Sequence, residues 1–301
     1  MLRILSFFIV ALFILPAHAQ EPLTAEKMWA MDRIGNVTTS PDGSLVAFTK
    51  TSYCIETDES RTTIYVMDSY GNNLREFTQH GSDSSPVFSP DSQSIAFTSR
   101  RDGGPAQLYV IPVDGGEARK ITDIPVAVAA PKWFPDGERI AFSATVHPDY
   151  NGSWEQHEEL ISEIRDRKVS ARVTENRMYR HWDRWLDEGL YPRIFSVTLD
   201  GEVTDLMPDS RRFFAMMGAP SYDISPDGSE IAVSANNEPP PYEYLNYDIL
   251  LIHTDGSGEK ENITSHNPAN DLSPVYSPDG RYLMYGKQTR TDFYADKVRL
   301  V

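Results

Sequence analysis

A chain of 301 residues with 44 acidic and 28 basic side chains carries a formal charge of −16. That balance argues against nucleic acid or an anionic membrane surface as a partner. Cys54 is the only cysteine, so no disulfide can form within the chain, and packed apolar faces must hold the fold.

The chain opens with the three parts of a secretory leader. Arg3 supplies positive charge, Ile4 to Leu15 is apolar, and Ala17-His18-Ala19 offers a small-x-small cleavage site. The apolar run is too short for a spanning helix, and no cysteine stands near the site for a lipid anchor. Residues 1–19 are therefore expected to be a removed signal peptide. The mature chain then begins at Gln20, periplasmic or secreted, with no membrane anchor.

From Thr39 onward one unit recurs. TSPDGSLVAFTK is followed by FSPDSQSIAFTSR, KWFPDGERIAFSAT, ISPDGSEIAVSAN and YSPDGRYLMYGKQ. Proline pre-sets the second turn position, aspartate bonds the backbone two residues on, and glycine accepts a left-handed conformation. A β-branched and aromatic run of strand length comes next. A second strand ending in a polar turn then recurs as TIYVMDSYGNN, QLYVIPVDGGE, RIFSVTLDGEV and DILLIHTDGSG, with short third runs LREFT, ARKIT, VTDLMP and ENIT.

The turn prolines stand at 41, 90, 135, 226 and 278, in steps of 49, 45, 91 and 52 residues. Repeats of about 40 to 50 residues with several strands each indicate an all-β β-propeller, one blade per repeat. The long step holds one middle-strand signal and no second PDG, so it reads as one blade with a partly helical insertion, the third visible blade. The closing YADKVRLV matches the opening of a middle strand, giving four blades and the start of a fifth. Residues 20–301 are thus expected to be an incomplete propeller domain at the front of a longer protein.

The insertion runs from about His147 to Gly189. Trp154 to Lys168 is compatible with a helix: Leu160, Ile161 and Ile164 share a face, and Glu163 stands four residues before Arg167. Arg180, His181, Trp182, Asp183 and Trp185 then crowd charge and aromatic rings together. This stretch reads either as a solvated helix with tryptophans packed between blades or as a loop reaching toward a substrate or second domain. His147 with Asp149, and His157 with Glu158, read as solvated loop pairs.

No G-x-S-x-G elbow, P-loop, H-E-x-x-H or paired C-x-x-C occurs, and the histidines show no metal-ligand spacing. No catalytic residue, metal site or cofactor is therefore expected in this chain.

LTAEKMWAMDRIGNVTTSPDGSLVAFT and RMYRHWDRWLDEG resemble segments of the prolyl oligopeptidase family, in its exported dipeptidyl-peptidase and acylaminoacyl-peptidase branch. The resemblance covers residues 22–301. It implies a propeller capping a C-terminal α/β-hydrolase domain whose Ser, Asp and His triad would lie beyond Val301. It also implies a short peptide substrate, admitted by the propeller. In dipeptidyl-peptidase relatives, acidic side chains on a propeller insertion bind the peptide's N-terminal ammonium, and Glu158 and Glu159 are the candidates here. Two other readings stay open. One is a non-catalytic periplasmic propeller of the TolB type, acting as a binding or scaffold protein. The other is a propeller enzyme with its site in the central channel, such as a lactonase or glycan-active hydrolase. The oligomeric state is not readable.

Overall fold

The structure is a computed structural model that describes residues 22–169, 180–181, 184–185, 189–214, 220–237, 246–291, 293 and 295–301. The leader expected at residues 1–19 lies outside the described residues, as do the side chains of the Arg180–Trp185 cluster.

Each repeat folds as an antiparallel sheet. A short helix, α1 (Ala25–Trp29), precedes the first, which holds β1 (Arg33–Thr39), β2 (Leu45–Cys54), β3 (Glu59–Asp68) and β4 (Arg75–Glu76). The second holds β5 (Asp83–Phe88), β6 (Ser94–Ser99), β7 (Gln107–Pro112) and β8 (Arg119–Lys120). The third begins with β9 (Ala129–Trp133) and β10 (Arg139–Val146). It is interrupted by α2 (Trp154–Arg165) and a small hairpin of β11 (Arg180–His181) and β12 (Arg184–Trp185). It resumes with β13 (Tyr191–Thr198) and β14 (Val203–Asp205). The fourth sheet holds β15 (Tyr222–Ile224), β16 (Glu230–Asn236), β17 (Tyr247–His253) and β18 (Glu259–Asn262). The fifth holds β19 (Asp271–Tyr276), β20 (Leu283–Lys287) and β21 (Arg299–Leu300).

β10 and β13 pair from Arg139–Thr198 to Val146–Tyr191 without a register shift. The long step in the repeat is therefore one blade with an insertion between its second and third strands. YADKVRLV supplies β21, which pairs with β20.

Sequence patterning missed the first strand of every blade. These strands precede the turn, are short, and do not alternate cleanly. Asn36, Ser85, Ala130 and Ser273 each stand five residues before a turn proline, at φ of 46°, 52°, 50° and 55°. The ladder shifts register at the same places. A bulge with a left-handed residue breaks the period-2 pattern on which strand recognition depends. These first strands link neighbouring sheets, β1 touching β5, β5 touching β9, and β15 touching β19.

The turns form as their residues dictate. Ser40 Oγ donates to Asp42 Oδ1 at 2.6 Å, Ser44 N donates to the same oxygen at 2.9 Å, and Leu45 N donates to Ser40 Oγ at 2.9 Å. Gly43, Gly137, Gly228 and Gly280 sit at φ of 68° to 72°, and Ser92 takes the glycine's place at 63°. A β-carbon on Gly228 would meet Pro135, and one on Gly280 would meet Pro226. Each of these turns abuts the turn of the preceding blade.

Apolar faces fill the space between sheets. Ala47, Ile64 and Val66 of the first cluster with Ile95, Phe97 and Tyr109 of the second. Leu108 and Val110 cluster with Ile140, Phe142 and Phe195, and Ala141 and Ile194 with Ile231 and Val233. Each large side chain so buried stabilises by roughly 1.5–3 kcal/mol. This inter-sheet packing replaces the disulfides the chain lacks.

Candidate functional site: the insertion of the third blade

The insertion is rooted in a buried ionic clamp. Arg193 on β13 is fully buried, and its guanidinium donates to Asp205 Oδ2 on β14 at 2.7 Å and to the backbone carbonyl of Pro148 at 2.8 Å. A third donation reaches the Tyr150 carbonyl at 3.4 Å. A charge removed from water needs a counter-ion and satisfied hydrogen bonds. Here the counter-ion comes from the neighbouring strand and the carbonyls from the segment leaving β10, while Arg193 Nε has no hydrogen-bond partner among the described residues. Burial raises the pKa of Asp205, although Arg193 and the Met207 amide pull it back down.

From this root the chain turns into α2. Ser153 caps the helix, accepting from Gln156 N at 3.3 Å and donating to Glu155 at 3.0 Å, as expected of a serine at that position. Leu160, Ile161 and Ile164 are half-buried on one face, as their spacing predicts, while Glu158 and Glu159 are exposed. The helix ends at Arg165, with Asp166 at its C-cap. It is thus shorter than expected, and Arg167 lies beyond it, so Glu163 and Arg167 are not a pair within the helix.

His157 is a correction. Its sequence neighbourhood reads as solvated loop, yet the residue lies on α2 and is only 2% exposed. Its Nε2 accepts from the His147 backbone N–H at 3.1 Å, and its ring meets Tyr150 and Trp154 edge-on at centroid distances of 5.8 and 5.9 Å. Trp154 in turn packs on Tyr150 and Phe195. Nothing local in the sequence distinguishes this histidine from a solvated one, because its burial comes from the blade beneath.

Between α2 and the third and second blades lies an open cleft of about 680 Å³. Glu155, Glu158 and Glu159 contribute acid to it, and Val126, Ile161 and Leu190 apolar surface. Arg165 also lines it. Both sequence-predicted site residues, Glu158 and Glu159, therefore share one cavity. Glu155 joins them unpredicted, but its own backbone amide, and after it the Ser153 hydroxyl, hold its carboxylate and keep its pKa below the usual range. The arrangement suits a cationic group attached to something apolar. Among the described residues, no group of three His, Cys, Asp or Glu side chains is placed to hold a metal ion.

The profile of the TolB beta propeller domain matches residues 33–162. Dipeptidyl-peptidase 5 of Porphyromonas endodontalis is 28% identical over 295 residues, covering 92% of this chain and 40% of that protein. The uncharacterized peptidase YuxL of Bacillus subtilis is 31% identical over 217 residues, covering 71% of this chain and 31% of its own length. The acylaminoacyl peptidase of Pyrococcus horikoshii superposes with a TM-score of 0.62 at 16% identity, over 91% of this chain and 38% of that one. At that identity the superposition shows the fold alone. The chain spans about two fifths or less of the length of these relatives. The repeats, the sheets they form and these peptidase-named relatives support a propeller similar to that of the prolyl oligopeptidase family.

Proposed function

We propose that this chain is the substrate-selecting propeller of an exported serine peptidase that removes short N-terminal pieces from peptides, with the catalytic residues on a linked α/β-hydrolase domain. Export rests on the leader read at residues 1–19. The observation that carries the selecting role is the cleft, where Glu158 and Glu159 stand on one helix of the blade insertion beside Val126 and Leu190. A free peptide N-terminus offers an ammonium to the carboxylates and a first side chain to the apolar surface.

The test uses the full-length enzyme. A hydrogen bond to a charged group contributes roughly 1.5–3 kcal/mol. Glu158→Gln and Glu159→Gln should therefore each raise KM for free-amine dipeptidyl substrates by about tenfold or more. Acylated substrates, which carry no ammonium, should be affected far less. Equal and small effects on both substrate types would remove the glutamates from the site. A full-length protein with no peptidase activity would favour the scaffold reading, to which the match with the TolB propeller profile also points.

A further inference from the structure

We propose that His157 is a pH-sensitive latch: neutral, it holds α2 on the third blade, and protonated, it releases the helix and with it one wall of the cleft. The latch stands on the packing of α2 and not on what the cleft binds.

The geometry requires the neutral ring. Nε2 accepts the His147 backbone N–H, so the neutral ring carries its proton on Nδ1. Nδ1 is buried and has no hydrogen-bond partner among the described residues. A second proton would have to enter at Nε2, where it would displace the His147 amide and face its hydrogen. The resulting imidazolium would then be buried against the rings of Tyr150 and Trp154, with no counter-ion among the described residues.

Among the described residues, the charged groups around the ring do not relieve this. From the end of β10 comes His147, whose Nδ1 lies 3.8 Å from the Asp149 carboxylate; Asp149 is also 3.4 Å from Arg211. From β13 comes Arg193, a cation, and from β14 Asp205, already paired with Arg193. The segment Ile124–Val128, which contributes Pro125 and Val126 to the cleft, holds no titratable residue. On α2 itself Glu155, Glu158, Glu159, Glu163 and Arg165 are at exposed positions.

Burial holds the His157 pKa below the usual imidazole range, and His147 and Arg193 push the same way. A histidine whose pKa falls on docking contributes stability above the free value of about 6.5. It loses that stability as pH falls toward the docked value. The docked helix should therefore weaken in mild acid, by a factor approaching tenfold per pH unit across that window.

Hydrogen exchange of the full chain, corrected for intrinsic rates, reads this directly at about pH 7.5 and about pH 5. Amides of α2 should lose on the order of tenfold protection in acid, while those of β10 and β13 keep theirs. His157→Gln preserves an acceptor for the His147 amide but cannot titrate, and should flatten the response; His147→Asn should leave it in place. Wild-type α2 protection that does not change with pH overturns the latch without any variant. So does an acid response of full size in His157→Gln.

Discussion

The Arg193 guanidinium meets the Asp205 carboxylate at 2.7 Å beneath the insertion, with the arginine fully buried. Removing one partner of such a pair leaves the other charged and desolvated, which costs roughly 3–5 kcal/mol. Arg193→Leu should lower the urea midpoint of the full chain accordingly. Arg193→Leu combined with Asp205→Leu should recover much of the loss, because neither charge is then stranded. A double variant as unstable as the sum of the single ones would show that the arginine acts through Pro148 and Tyr150 alone.

Ser92 occupies the glycine position of the second turn, and its hydroxyl accepts from Asp42 N of the first blade at 3.2 Å. Two effects oppose each other there. A left-handed backbone costs a non-glycine residue about 1–2 kcal/mol, and the hydrogen bond returns about 1 kcal/mol. Ser92→Gly should consequently be close to neutral in chemical denaturation. Ser92→Ala keeps the strain and loses the bond, and should destabilise by about 1 kcal/mol. Equal effects of the two changes would mean that the left-handed backbone carries no strain, and a neutral Ser92→Ala would mean that the inter-blade bond contributes nothing.

The turn aspartates confer an acid sensitivity distinct from that of His157. Hydrogen bonds from the flanking serines and their amides hold Asp42 and Asp227 down to about 2. Because the folded pKa is depressed, their stabilisation is complete above the ordinary aspartate range of about 4. It is lost as pH falls from there toward the folded value. Thermal melts of the full chain should decline over that interval. Asp42→Asn with Asp227→Asn should lower the melting temperature at neutral pH and make the decline shallower.

Processing is tested at the N-terminus. Ala17 and Ala19 offer the small side chains a signal-peptidase pocket requires, so exported material should begin at Gln20. N-terminal sequencing that finds Met1 on exported protein would contradict this.

The blades were legible in the sequence because their signals are local. Proline, aspartate and glycine fix a turn through their own backbone preferences. The Ile/Val/Phe runs that follow are long enough to read as strands. The same logic placed α2 and brought Glu158 and Glu159 onto it, since helical spacing is a property of the segment alone. What the sequence left undetermined depends on neighbours distant along the chain. Ala47, Ala96, Ala141 and Ala232 each stand six residues after a turn proline and are fully buried, whereas Met284 at the equivalent place is 46% exposed. For the first three, the apolar clusters set the alanine beside the next sheet, and no local rule foretells that. His157 and Arg193 carry the same lesson. A histidine beside glutamate and an arginine in a strand look solvated in isolation. Only the meeting of β13, β14 and the root of the insertion takes both out of water, where unpaired charge is costly and each hydrogen bond therefore matters.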